Sequence, residues 1–220
     1  TRRPPREAYR ALLQDVREGA RLALASGPIR GAIGAMALLW IAGGALHIAA
    51  PILMERRGTG MVLGVGRLVA LAAVGMVAGT LLLAWRGGSG SAAVRLAISL
   101  LGTGAAILLF AAAPWPLAPD LAALLAGAFV VVLLVTTESV IQESAAVDAR
   151  ARIFALRDFL ARLGVLLSAA LFGWLVGGRL SPEGAATASG LLLLAGGSWA
   201  LFRARWTRPS DGGDGTMRGG

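Results

Sequence analysis

Apolar residues run through this chain in long blocks, and almost all of the charge lies in the short stretches between them. A helix needs about 20 residues to cross hydrocarbon. The blocks at 31–54, 61–85, 96–113, 121–142, 159–178 and 185–202 reach or approach that length, which predicts six transmembrane helices. The third and sixth are short, but Arg residues flank each, and their stems can reach back to the interface. No run alternates apolar with polar residues as a barrel wall must. The expected fold class is an all-α membrane protein, with one six-helix transmembrane domain over 31–204.

The flanks have a different character. In 1–30, "PREAYRALLQDVREGARLALAS" sets Tyr9, Leu12, Leu13, Val16, Ala20 and Leu24 at helical spacing, with Arg6, Arg10, Arg17 and Arg21 on the other face. This predicts an amphipathic helix that either lies on the membrane face or packs on another segment at that end. At the other end, "RPSDGGDGTMRGG" within 205–220 has nothing to bury, so disorder is expected there. Position 1 is Thr, and "TRRPPREAYR" has a charged start without the apolar core of a signal peptide. A piece of a longer chain, or a separated half, is the expectation.

Composition agrees with the pattern. Of 220 residues 56% are hydrophobic and 15% charged, against roughly 25% charged in soluble domains. The net charge is +9, and all 21 basic residues are Arg. Nucleic-acid binding would place them on a polar face among aromatics; here they sit between apolar runs, so no nucleic-acid partner is expected. With the N-terminus inside, one side holds Arg2, Arg3, Arg6, Arg10, Arg17, Arg21, Arg30, Arg86, Arg95, Arg150, Arg152, Arg157, Arg162, Arg203, Arg205, Arg208 and Arg218. The other keeps Arg56, Arg57, Arg67 and Arg179. By the positive-inside rule both termini are cytoplasmic.

Small residues recur at spacings suited to close helix packing in lipid. They are Gly60 and Gly64, then Gly75 and Gly79, in the second block, Ala123 and Gly127 in the fourth, and Gly173 and Gly177 in the fifth. Pro51 is expected to bend or end the first helix.

Ionisable groups inside a membrane are costly and therefore candidates for function. Three qualify: His47 in the first block, Arg67 in the second and Glu138, after Thr136 and Thr137, in the fourth. His47 could carry a proton, since imidazole titrates near neutral pH, or be a neutral histidine bonded within the bundle. Glu138 could bind a proton or a cation, or be a carboxylate close enough to the headgroups to stay wet. Arg67 could line a path or simply reach the interface. Catalytic constellations are not found. "GGSGS" (87–91) resembles a protease nucleophile context, but the one His falls on the other side of the membrane. Without Lys there is no P-loop, and one His with no Cys leaves no metal cluster. A non-enzyme without cofactor or metal is expected.

Four stretches together resemble the C-terminal half of a major facilitator superfamily transporter, in the branch of bacterial drug and siderophore exporters. "DVREGARLALASGPIR" is similar to the end of that family's central loop, "GTGMVLGVGRLVALAAVGMVAGTLLLAW" to its Gly-rich eighth helix, and "QESAAVDARARIFALRDFLARLG" to the loop between its tenth and eleventh helices. The six blocks with both ends inside complete the likeness, which covers roughly 11–206. Val147 stands where Pro is usual, Ala151 replaces a Gly, and "RGGSGSAAVR" lacks the family's fuller charged signature. The resemblance implies a secondary transporter in a bacterial inner membrane. It would export a small molecule, with protons as the coupling ion, and need an N-terminal six-helix half. It places His47, Arg67 and Glu138 on cavity-lining helices. Asp148, Arg150, Arg152, Arg157, Asp158 and Arg162 then become candidates for a cytoplasmic gate. A scaffold without transport and a homodimeric half-size transporter are the alternatives.

Overall fold

A computed structural model describes residues 17–86 and 90–206, with the backbone alone at 148, 205 and 206. The early Arg and apolar positions of the predicted amphipathic helix up to Val16, most of "GGSGS", and the tail after 206 lie outside the described residues. Among the described residues seven helices follow one another: α1 (17–25), α2 (Gly27–Arg56), α3 (Met61–Trp85), α4 (Ala92–Ala112), α5 (Ala118–Ser144), α6 (Val147–Val176) and α7 (Pro182–Trp206). No strand occurs among the described residues. The six helices from α2 to α7 are long and apolar enough to cross a membrane, with mean hydropathy from 1.5 to 2.3. The chain is an all-α membrane protein.

Several helices outrun the predicted blocks, and charge explains the difference. An apolar count stops at Arg, but Ala, Leu and Arg are all strong helix formers, so α6 starts at Val147 and carries its Arg-rich stretch as regular helix. The expected loop around Asp148 is therefore helical. Ala146 is the N-cap, and Asp148 is the second helical residue. Pro51 lies inside α2, which continues to Arg56. The α2–α3 turn is made possible by Gly58 and Gly60, at φ 74° and 73°, a region where only glycine sits without strain.

Two triplets, α2–α4 and α5–α7, organise the bundle. The main packed pairs are α4 with α7, α3 with α5, α4 with α5, α2 with α6, and α2 with α7, and α2 also meets α5. Exchanging α2 with α5, α3 with α6 and α4 with α7 turns this set of pairs into itself. Two lesser contacts, α2–α4 and α6–α7, have no counterpart. A triplet crosses an odd number of times, so the second triplet enters from the opposite side, the pattern of an inverted repeat.

Backbone approach through small residues sets the crossings. A Cβ on Gly75 or Gly127 would overlap the carbonyl of Leu124 or Ala72, and one on Gly79 would lie 2.5 Å from Ala128 O. That fixes α3 on α5. At the α4–α7 crossing a Cβ on Gly104 would be 2.8 Å from Gly190 O, and at α2–α6 one on Gly44 would be 2.7 Å from Val165 O. Two predicted stripes fail. Gly60 serves the turn as the α3 N-cap. Gly173 has nothing near it, and Gly177 meets only its own preceding turn.

α1 packs on the bundle. Ala23 is buried with Ile29, Ile33, Ile141, Ile153 and Leu156, flanked by Ala20 and Leu22, while Leu24 is 61% exposed. Gly19 permits this, since its missing Cβ would sit 3.0 Å from Arg152 O. Of the two readings of this helix, the described part matches packing on another segment. Ile153 and Leu156 of α6 are buried in that cluster.

Candidate functional site

Alternation of the helices collects charge at two ends. At the basic end, α5 and α6 bring Glu138 to Arg157, with Nη1 donating to Oε1 at 3.3 Å. The same guanidinium donates through Nε and Nη2 to Asp158 Oδ1, at 3.0 and 2.9 Å, and lies over the Phe154 ring at 4.9 Å. Arg157 is largely covered, at 15% side-chain exposure, while Glu138 and Asp158 are about half exposed, at 52% and 56%. With both carboxylates ionised the trio carries one net negative charge, and one proton makes it neutral. The helical reading of 147–176 is what makes this trio possible. It turns Arg157 and Asp158 from loop residues into neighbours of the last turns of α5.

The remaining gate candidates divide. Arg150 donates to Ala145 O at 3.2 Å, closing the α5–α6 corner. Arg152 pairs with Glu18 of α1 at 2.9 Å. Arg162 is exposed. The side chain of Asp148 lies outside the described residues.

At the opposite end each Arg reaches across to another part of the bundle or lies on an aromatic ring. Arg67 of α3 pairs with Asp120 of α5. Arg56 pairs with Glu183 of α7 at 3.0 Å. Arg57 donates to Phe110 O at 2.7 Å and lies 5.3 Å from the centre of that ring, and Arg179 lies over Trp174. Asp120 and Glu183 were not singled out from the sequence. Each stands in the first turn of its helix, where a carboxylate complements the positive helix end; that position was the available signal.

Depth separates the three transport-path candidates. Asp120 and Glu138 are eighteen residues apart on α5, or about 27 Å at helical rise, close to a hydrocarbon thickness of about 30 Å. Arg67, through Asp120, and Glu138 thus stand about that far apart along the bundle, and the Glu138 side chain is half exposed. His47 lies nine residues before Arg56 on α2, about 14 Å deeper. It is exposed on the α2 face that also carries Trp40, and no hydrogen bond or ion pair among the described residues joins it to Arg67 or Glu138. Pro51 supplies no N–H to the carbonyl four residues back, which is that of His47. Thr136 and Thr137, beside Glu138, are buried, with hydroxyls that have no partner among the described residues.

No protein-family model, curated protein or solved structure matches the chain.

Proposed function

We propose that the chain is one six-helix half of a secondary active transporter of the major facilitator type, exporting a small molecule against protons. The observation that carries this reading is the exchangeable packing of two helix triplets together with two one-sided helices. α3 buries only Gly64, Gly75 and Gly79, and the most apolar stretch of α6 is 6% buried. Both helices leave apolar faces that a second half would cover, and between them lies the open α2 face with His47. In such a transporter a midplane site sits between repeats that rock against each other. Here His47 is the deep proton-binding group, Arg157 with Glu138 and Asp158 forms the gate at the basic end, and that end faces the cytoplasm. A bacterial inner membrane and the missing N-terminal half follow from the same reading.

The test is proton-driven export by the chain assembled with its second half, in vesicles carrying a pH gradient. The expectation is that His47→Ala abolishes gradient-driven export while expression holds, whereas Glu138→Gln slows gating and leaves the coupling to pH intact. Full export by His47→Ala would remove His47 from the mechanism. The open faces of α3 and α6 would also accept a second copy of this chain, the homodimer reading. A stable dimer of the chain alone that exports would establish that reading instead.

A further inference from the structure

The outer flank of the bundle, away from α3, holds an apolar groove whose origin is legible residue by residue. Gly27, Gly31 and Gly34 recur along one stripe of α2, and a Cβ at any of them would meet open space. Their missing side chains leave a cavity of about 980 Å³ between α2, α4 and α7, walled by Leu38, Leu96, Leu100 and Trp199. From Gly27 to Ile41 the groove follows α2 for about 21 Å, more than one leaflet's depth of hydrocarbon, about 15 Å. Among the described residues no acidic side chain lines it.

Its mouth is cationic. Arg30 from the first turn of α2 and Arg203 from the last turns of α7 both line it, as do Ala92 and Ala93 at the start of α4. Arg30 gives one N–H to Leu24 O at 3.2 Å, and a guanidinium has five to offer. The N-termini of α2 and α4 both open here, and neither has an acidic residue in its first turn, so two positive helix ends add to the two guanidinium groups. Trp199, stacked with Phe202 at 6.2 Å, stands where membrane proteins place interfacial aromatics.

We infer that this groove binds an anionic phospholipid, with an acyl chain along the glycine stripe of α2 and the phosphate between Arg30 and Arg203. A long apolar trough ending in clustered positive charge fits that amphiphile, and basic pockets between transmembrane helices are known to hold anionic headgroups. A neutral lipid would fill the trough and bring no negative charge to the mouth. A free phosphate would meet the mouth and leave the trough open. The inference rests on the groove alone and is independent of transport.

Native mass spectrometry of the purified, delipidated protein tests it, with phosphatidylglycerol and phosphatidylcholine of equal chain length as probes. One phosphatidylglycerol should be retained about 30-fold more tightly than phosphatidylcholine, the effect expected of two Arg near a headgroup. R30Q with R203Q should bring the two lipids to similar affinity, R56Q with R57Q at the other end should leave the preference unchanged, and Gly31→Leu should weaken both lipids by filling the trough. Equal affinity in the unaltered protein overturns the inference. So does retention of neither lipid, as a second copy seated in the groove would give. Displacement of phosphatidylglycerol by millimolar inorganic phosphate, or equal loss of preference in the R56Q with R57Q protein, overturns it as well.

Discussion

α4 and α6 carry the same mean hydropathy, 2.0, over their most apolar stretches, yet 50% of that stretch is buried in α4 and 6% in α6. In water such a difference would expose one helix to aggregation. In lipid, hydrocarbon tails solvate Leu as well as a protein core does, so hydropathy reports the membrane and not the neighbour. What separates the two helices is the polar and small residues. α4 buries Ser99 and Thr103, and its Gly104 lies against the backbone of α7. Apart from its docking with α1 near Arg152, α6 makes one close approach, where Gly44 of α2 meets Val165 and the Ser168 hydroxyl donates to Ile41 O. Beyond that it presents Leu166, Leu167, Leu171 and Trp174 outward.

The same substitution on the two helices breaks or sharpens this contrast most strongly. Gly104→Leu forces a side chain into the backbone of α7 and should cost about 3 kcal/mol, measured as lost folded fraction in a denaturing-detergent titration. Next in size, Ser168→Ala removes the polar tie between α6 and α2 and should cost about 1 kcal/mol in that titration. Arg157→Ala leaves Glu138 and Asp158 without their shared cation. Because both carboxylates are half exposed, the loss should be only about 0.5 kcal/mol, with the larger effect on the gating rate. Smallest of all, Gly173→Leu enters open space and should change the stability of this chain by less than about 0.5 kcal/mol. Assembly with a second half should fail in that variant. Destabilisation equal to that of Gly104→Leu would mean that α6 is packed as tightly as α4.

The six spans were legible because hydrocarbon demands length and apolarity, and both are written in the residues. Helix ends were less so: Arg150, Arg152 and Arg157 interrupt an apolar count without interrupting a helix, which hid the turns that bring Arg157 to Glu138. Pairing was hardest to read. With 31 glycines in the chain, small-residue spacing found Gly75, Gly79 and Gly127 correctly and proposed Gly173 with Gly177, which meet no other helix among the described residues. Asp120 and Glu183 escaped notice because an acid beside a span looks like any loop residue until its partner helix is known. Leu24 was assigned to the apolar face of its helix, but Gly19 allows the chain to dock by the adjacent face.

The central claim is that the open face of α2 lines an aqueous cavity closed by a second half. The chain contains no Cys, so an introduced Cys is the one thiol it contributes, and labelling is read against the unaltered protein. His47→Cys, in the protein as it sits in its membrane, should react with a membrane-impermeant thiol reagent. Leu191→Cys, exposed on α7, should stay unmodified in lipid. Labelling of the first and not the second is the predicted result. A His47→Cys protein as inert as the Leu191→Cys protein would put that face in lipid and contradict the account.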